Sequence, residues 1–319
     1  MQDKSVSEMK SIILKDFGSV DNLVYSELPL PLVGDGELLI HVKAISINPV
    51  DVKTRAGKGR ASKLKDEHPI VLGWDVAGVV SSSKSAMFKE GDEVFGMINF
   101  PGHGKAYAEY AVAPASHVAL KPANITFEDA AAATLAALTA WQAIIDHAKV
   151  KEGDRVLIHA AAGGVGNYAV QIAKHLGAYV IGTSSAGKKD FVLSLGADEH
   201  IDYTSHALEE VTNNIDFVLD TIGGETIDNS LKVMKKGGTI ISIPSGQNEA
   251  VAEKAEAMGM IGYPIMVKSD GTEMKEIAAL MESGAIKSYV SQVFEFDEMK
   301  AAHLSLETGK TQGKIVLKV

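Results

Sequence analysis

The stretch with the clearest chemical meaning is glycine-rich and covers residues 156–167. It reads as a strand, a turn with the pattern Ala161-x-Gly163-x-x-Gly166, and the start of a helix. Small turn residues let backbone N–H groups approach a pyrophosphate, and the helix N-terminus adds partial positive charge. The pattern therefore predicts a dinucleotide-binding loop rather than a structural turn, with alanine in place of the first glycine. The predicted contacts are Ala162, Gly163, Gly164, Val165 and Gly166.

The residues about 20 positions further on bear on which dinucleotide binds. A loop that prefers NADH carries Asp or Glu at about that distance, where it holds the ribose 2′-hydroxyl. This sequence has Thr183 and Ser184 there, with no acid before Asp190. A carboxylate would repel a 2′-phosphate, whereas Lys188 can pair with one. We therefore predict NADPH as the cofactor, with Thr183, Ser184 and Lys188 in its site. The alternative for Lys188 is a solvated residue that opens the next helix.

The elements around this loop indicate the fold class. After a helix predicted over 130–149, strands and helices alternate as far as residue 243, which favours a parallel sheet with helices on both faces. The first 120 residues read instead as strands separated by Gly, Pro and Asp, one of them over 70–81. A last strand, Lys314–Lys318, needs a sheet to join, and we expect the first domain to supply it. The predicted fold is α/β.

Composition narrows the function classes. The chain has 319 residues, enough for two domains. Its 31 basic and 41 acidic residues give a net charge of −10, which argues against nucleic-acid partners and an anionic membrane surface. With no cysteine, disulfides, thiolate catalysis and cysteine-ligated metals are excluded. No apolar run of about 20 residues predicts a membrane span, and the polar start, Met1 to Glu8, predicts no secretory signal and a cytoplasmic location.

Several short sequence motifs occur along the chain in the same order as in one known protein family. They are Ser46–Asp51, Leu72–Val80, Gly91–Gly96, Tyr107–Tyr110, Leu138–Trp141, Ala161–Gly166, Leu195–Asp198 and Gly313–Val316. With them the chain, from about Met9 to Val319, resembles the zinc-independent quinone oxidoreductase branch of the medium-chain dehydrogenase/reductase superfamily. The resemblance implies a GroES-like β-rich catalytic domain from residues 1–124 and 286–319. It also implies a Rossmann doubly wound parallel-sheet domain that binds NADPH, residues 125–285, and an active site in the cleft between the two domains.

The zinc ligands of the zinc-dependent relatives have no counterparts here. Those relatives carry a cysteine near Asn48 and a His-Glu pair where Trp74-Asp75 stands. We therefore predict no metal. Without a Lewis acid, hydride abstraction from an unactivated alcohol is difficult, whereas reduction of a quinone or an activated C=C bond is easier. Trp74 either shapes the acceptor pocket or packs in the core.

The resemblance also implies roles for individual residues. Asn48 and Asp51 match the Asn-x-x-Asp pair of the family and would be catalytic. Asn48 would hold the nicotinamide ribose or the substrate oxygen. Asp51 would orient Asn48 or relay a proton. The alternative is a turn at Asn48 capped by Asp51. No tyrosine follows, so a tyrosine acid is in doubt; Lys53, Arg55 and Lys58 form a basic pocket mouth or a solvated loop instead. The remaining implied cofactor contacts are Thr139, Tyr203, Ile222, Ile243, Ser245 and Lys314.

The predicted function is NADPH-dependent hydride transfer to a quinone or another activated α,β-unsaturated carbonyl, without zinc. Two alternatives stay open: a 2-enoyl thioester (C=C) reductase, and a non-catalytic NADPH-binding sensor. The partner is a small molecule. The resemblance also implies a homodimer formed through the edge of the Rossmann sheet, for which Met258–Val267 is the candidate strand because it is too apolar for an exposed edge.

Overall fold

The computed structural model describes residues 8–319. The strands are β1 Glu8–Leu14, β2 Leu23–Pro29, β3 Glu37–Ile47, β4 Ile70–Val71, β5 Asp75–Ser83, β6 Glu93–Met97, β7 Tyr110–Pro114, β8 Val118–Leu120, β9 Arg155–Ile158, β10 Tyr179–Ser184, β11 Glu199–Asp202, β12 Ile215–Asp220, β13 Met234–Ser242, β14 Ile261–Pro264, β15 Val290–Glu295 and β16 Lys314–Lys318. The α-helices are α1 Pro49–Arg55, α2 Ala61–Leu64, α3 Phe127–Ala132, α4 Leu135–Trp141, α5 Gly164–His175, α6 Lys189–Ser194, α7 Leu208–Val211, α8 Glu225–Leu231, α9 Val251–Ala257, α10 Gly271–Ser283 and α11 Met299–Glu307.

The chain forms two compact units, which differ at their limits from the predicted domains. The first unit ends at Leu138 and resumes at Lys268; the second is Thr139–Val267. The sequence put the limits at 124/125 and 285/286. Helix α3 packs on β3 and β5, and α10 packs on β8, so both helices lie with the first unit.

The first unit is built on two sheets. The larger has seven strands, in the order β15-β16-β3-β5-β6-β8, with β7 also paired to β3. The smaller has the order β2-β1-β4. Strand β16 pairs antiparallel with β3 through Ile315↔Ile47 and its neighbours. The prediction that the last strand joins the sheet of the first domain is therefore confirmed.

The single strand expected over 70–81 is wrong, because the chain turns in its middle. Gly73 has a φ of +89°, and a Cβ there would lie 2.4 Å from the ring of Tyr107. The two halves consequently pair with different strands: Leu14 of β1 faces Ile70, whereas β5 pairs with β3 and β6. This turn brings Asp75 to the start of β5.

The helix expected over 130–149 is also interrupted. It consists of α3, α4 and a π-helical turn at Gln142–His147. At the first break the Thr134 hydroxyl donates to the Ala131 carbonyl at 3.1 Å. The N–H of Leu135, the first residue of α4, donates to the carboxylate of Asp75 at 3.0 Å. A polar contact to another strand therefore replaces one turn of helix.

The second unit contains a six-stranded parallel sheet in the order β11-β10-β9-β12-β13-β14. Numbered within the unit this order is 3-2-1-4-5-6, that of the doubly wound parallel sheet which the family resemblance implies. Its strand order reverses between β9 and β12, and ligands of such sheets bind at the carboxyl ends of the strands near that point. Leu157, Ile181, Val218 and Ile240 form the core of this sheet. Helix α8 ends at Leu231, three residues before Met234 begins β13.

Candidate active site

The glycine-rich loop follows β9 directly and opens α5, as predicted. Gly163 is the N-cap of that helix. The N–H groups of the first turn, from Gly164 to Gly166, have no carbonyl of their own helix to bind. A Cβ at Gly166 would lie 2.2 Å from the Ala160 carbonyl oxygen, so only glycine lets α5 pack this closely on the turn. The loop therefore has the backbone cradle that a pyrophosphate needs.

Two features of this loop were not predicted. Ala160 has a φ of +47°. The residue with left-handed backbone conformation in this turn is therefore an alanine, and it comes one residue before Ala161. Gly182 is the second feature: a Cβ there would lie 2.6 Å from Val192 and 2.8 Å from the Cβ of Ala161. The sequence signal was a glycine inside a strand, which marks close approach of another segment.

The carboxyl end of β10 carries hydroxyl groups. Thr183 and Ser184 are buried, and the Thr183 Oγ1 lies 3.1 Å from the Nδ1 of His159. Lys188 ends a short 3-10 turn and is half-buried, and this burial lowers the pKa of its ammonium group. The side chain of Tyr203 is 61% exposed, and its backbone N–H lies 3.4 Å from the Ser184 carbonyl oxygen.

His159, which follows β9 directly, connects the start of the loop to neighbouring elements. It is buried, and its Nε2 lies 2.8 Å from the hydroxyl of Ser230 on α8. Burial lowers the pKa of the imidazole to about 4, so this histidine is neutral at pH 7. It links β9 to β10 and α8 as an interior histidine with two polar partners.

The remaining predicted cofactor residues of this unit lie on α4 and at two further strand ends. At the end of β12, Asp220 accepts the N–H groups of Ile222 and Gly223 at 3.0 Å each and holds the turn that carries the exposed Ile222. Ile243 and Ser245 follow β13, and Thr139 is buried within α4. The structure thus brings the loop, the end of β10 and the turns after β12 and β13 to one edge of the sheet; the roles of these residues stay predictions.

The first unit contains a buried polar cluster at the β3–α1 junction. Proline at the first position of α1 suits a helix start, and Asn48 precedes it as the N-cap. The Asn48 N–H donates to the Asp51 carboxylate at 2.6 Å, while its Nδ2 donates to Asp75 at 2.7 Å. Lys314 donates to the Asn48 side-chain oxygen and to the Ile47 carbonyl at 3.2 Å. The Asn48 amide is therefore held between a cation and a carboxylate.

Burial shifts all three ionisable groups of this cluster. It raises the pKa of Asp51 to about 8, with the nearby Asp75 as the next cause. Burial also raises the pKa of Asp75, against the opposing charge of Lys314, and lowers the pKa of the Lys314 ammonium. At pH 7 Asp51, with a pKa of about 8, therefore mostly keeps its proton, while the opposing charges of Lys314 and Asp75 each favour the ionised form of the other.

A second set of buried groups continues from Asp51. The hydroxyl of Tyr107 lies 3.0 Å from the Nε2 of His303, and burial followed by the charge of Asp51 raises the pKa of Tyr107 well above its usual value. Arg55, one turn after Asp51 on α1, forms an ion pair with Glu307 on α11 and is buried. The expectation of a basic pocket mouth or a solvated loop is therefore wrong for Arg55. It had no sequence signal, because Glu307 is 252 positions away.

Trp74 belongs to the core. It is fully buried, its indole N–H donates to the Gly102 carbonyl at 2.7 Å, and its ring meets Phe100 edge to face. Among residues 8–319 there is no group of three or more His, Asp and Glu side chains placed to hold a metal ion. Nor is any helix in that range long and apolar enough to cross a membrane.

The pH dependence of stability tests the neutral state of Asp51. Between its ordinary pKa of 3.8 and about 8, the folded chain keeps a proton on Asp51 that the unfolded chain releases. The free energy of unfolding therefore falls as the pH rises through this window. Asp51→Asn mimics the neutral carboxyl and keeps an acceptor for the Asn48 N–H, so we expect it to flatten the dependence by on the order of a few kcal/mol.

The measurement is urea unfolding at a series of pH values, with Asp66→Asn as the control. Asp66 is exposed, and its substitution should leave the profile unchanged. A profile of Asp51→Asn that runs parallel to that of the wild type would contradict the assignment of a buried neutral acid.

Comparisons with known proteins identify the family. Residues 34–123 match the alcohol dehydrogenase GroES-like domain, and residues 195–317 match the zinc-binding dehydrogenase family. The 2-methylene-furan-3-one reductase of Solanum lycopersicum is 37% identical over 98% of this chain and 79% of its own length. The chloroplastic NADPH-dependent alkenal/one oxidoreductase of Arabidopsis thaliana is 35% identical over 97% of this chain and 79% of its own length. The solved structure of a quinone oxidoreductase from Coxiella burnetii matches with a TM-score of 0.93 at 37% identity, covering 98% of this chain and 99% of that one.

These relatives and the solved structure identify the chain as an oxidoreductase that uses a nicotinamide cofactor and acts on a small molecule. A GroES-like unit and a doubly wound parallel sheet are the two parts of this class. The chain belongs to the medium-chain dehydrogenase/reductase superfamily and is quinone oxidoreductase-like within it.

Proposed function

We propose that this protein uses NADPH to reduce a quinone or another activated α,β-unsaturated carbonyl, without zinc. The observation that carries the proposal is the set of side chains at and just after the end of β10. Ser184 and Lys188 lie there, in place of the carboxylate that would repel a 2′-phosphate. The names of the alkenal/one oxidoreductase and of the quinone oxidoreductase agree with this acceptor class.

The proposed roles follow from the chemistry of each group. When bound, NADPH supplies the hydride. The N-terminus of α5 binds the pyrophosphate, while Ser184 and Lys188 bind the 2′-phosphate. Thr139, Ile222, Ile243 and Ser245 line the path of the nicotinamide, and Tyr203 packs near the adenine end.

In the first unit, Asn48 is proposed to orient the reacting oxygen or the ribose. Its amide is fixed at both ends, because the oxygen accepts from Lys314 and Nδ2 donates to Asp75. Asp51 holds a proton at pH 7 and is proposed to relay it toward the oxyanion that forms on the acceptor. Lys314, which the sequence analysis assigned to the cofactor, is proposed to act through Asn48.

Zinc independence rests on the chemistry of the residues present. The chain has no cysteine to serve as a metal ligand. Trp74 occupies one of the ligand positions of zinc-dependent relatives and contributes its side chain to the core. Acceptors that are already electron-poor need no Lewis acid for hydride addition.

The acceptor class is tested by NADPH oxidation, followed by absorbance, with four acceptors: a bulky ortho-quinone, a small para-quinone, a simple enone and an enoyl thioester. We expect turnover with the quinones and the enone. Turnover confined to the enoyl thioester would replace the proposal with C=C reduction of thioesters. Tight NADPH binding with no turnover on any acceptor would point to a sensor.

We further propose that the protein is a homodimer through β14. This strand lies at the edge of the parallel sheet. Ile261 on the strand is 55% exposed, and Met258 before it and Met266 after it are 43% and 51% exposed. The mass in solution should be twice that of one chain, and Ile261→Lys should give the monomer because it places charge on the apolar edge. A wild-type monomer at micromolar concentration would contradict the dimer.

The predicted cytoplasmic location also stays a proposal. One relative is chloroplastic by name. Imaging of the full chain carrying a C-terminal fluorescent tag tests it, and accumulation inside an organelle would contradict it.

A further inference from the structure

The hydroxyl of Ser184 has a partner that the sequence analysis did not assign. Ser184 is the last residue of β10, and its Oγ lies 2.8 Å from the Nε2 of His200 on the neighbouring strand β11. The same hydroxyl donates to the Ser185 carbonyl at 3.0 Å. Because a hydroxyl has only one proton to donate, the bond to the imidazole is donated by the Nε2–H of His200.

The register of the sheet makes this contact a consequence of the fold. Strands β10 and β11 are parallel, with Gly182 opposite His200 and Ser184 opposite Asp202. His200 and Ser184 lie two positions apart in register and share one face of the sheet. Gly182, directly opposite His200, has no side chain, so none separates the imidazole from β10. The imidazole therefore reaches along the strand to the hydroxyl at its end.

The surroundings of His200 lower the pKa of its imidazole below the ordinary 6.5 and so favour the neutral form. Burial lowers the pKa of the imidazole, Asp202 on the same strand raises it, and Lys189 at the start of α6 lowers it. The Asp202 carboxylate is hydrogen-bonded within the turn that follows it, where it accepts from the hydroxyls of Thr204 and Ser205 at 2.7 Å each. The imidazole thus serves as a hydrogen-bond donor to Ser184 without placing a full charge beside it.

We propose that His200 is a specificity-determining residue for the 2′-phosphate, acting as a positioning residue through Ser184. By donating to the Ser184 oxygen, His200 fills one acceptor position of the hydroxyl and turns its O–H away from the strand. The O–H then leaves the Ser185 carbonyl and donates to a phosphate oxygen when the 2′-phosphate arrives. Hydrogen bonds in such a chain polarise one another, and the bond to the charged phosphate is the stronger one. The inference rests on the proposed use of NADPH.

The test uses adenine fragments, so that its readout is independent of turnover. Calorimetry measures the binding of 2′,5′-ADP and of 5′-AMP at about pH 7.5, where a phosphate monoester is mostly dianionic. The variants are His200→Leu, which removes the donor, and His200→Gln, which keeps an N–H donor. The matched control is His206→Leu, since His206 is exposed in the turn after β11.

We expect His200→Leu to weaken 2′,5′-ADP binding about five- to tenfold, the loss typical of one hydrogen bond between neutral groups. The affinity for 5′-AMP should stay within about twofold, and His200→Gln should recover most of the loss. Unchanged 2′,5′-ADP binding in His200→Leu, an equal loss for both fragments, or no recovery in His200→Gln would overturn the role of His200. A wild type that binds both fragments equally would instead overturn the proposed preference for NADPH, and the inference with it.

Discussion

Gly166→Ala is expected to weaken NADPH binding by about two orders of magnitude. The added Cβ would lie 2.2 Å from the Ala160 carbonyl oxygen and 2.8 Å from the Cα of Ala161. Both neighbours are backbone atoms that cannot rotate away, so α5 must move away from the turn. A displacement of about 1 Å moves the first-turn N–H groups off the pyrophosphate, and errors of that size cost about a hundredfold at a positioned site.

Calorimetric titration with NADPH measures this loss, after circular dichroism has shown that the variant is folded. Gly34→Ala is the control, because its added Cβ would meet only the flexible end of Glu37, at 2.8 Å. That variant should bind NADPH as the wild type does. A folded Gly166→Ala variant with wild-type affinity would show that the cofactor does not depend on this loop.

Lys314→Met is expected to lower the free energy of unfolding by about 3–5 kcal/mol, the usual cost of leaving a buried charge without the opposite charge near it. Methionine fills the space of the stem, but Asp75 then loses its counter-charge. The Asn48 oxygen also loses its donor. The buried cluster must respond by protonating Asp75 or by opening to water, and either response costs stability.

Lys318→Met is the matched control on the same strand. The Lys318 side chain is 51% exposed and faces Glu128 at 3.4 Å, a pair of the surface kind that contributes about 0–1 kcal/mol. Urea unfolding of both variants at pH 7 gives the comparison. Asp75→Asn combined with Lys314→Met should recover part of the loss, because no uncompensated carboxylate then remains. A change below about 1 kcal/mol for Lys314→Met alone would contradict the account of the cluster.

The parts of the fold set by local pattern were readable from the sequence. The β9–loop–α5 segment is one example, because its small residues and flanking strand and helix lie within about a dozen positions. The parallel sheet followed from the alternation of strands and helices. That the last strand joins the sheet of the first unit followed from the need of a lone strand for a sheet.

The parts set by contacts distant in sequence were not readable. Asp75 interrupts a helix 60 positions away by accepting the N–H of Leu135, and nothing in the alanine-rich stretch signals that acceptor. Arg55 reads as a surface residue until Glu307 is packed against it. The partner of Ser184 is His200, 16 positions on, and only the register of two parallel strands brings them together.

The measurement that tests the account most directly is cofactor oxidation by protein from which metal ions have been removed with a chelator. The decrease in NADPH and NADH absorbance is followed in parallel, with a bulky ortho-quinone as acceptor and zinc content measured in the same sample. We expect full turnover with far less than one zinc per chain and a higher kcat/KM for NADPH than for NADH. Turnover that returns only when zinc is added, or equal use of the two cofactors, would contradict the account.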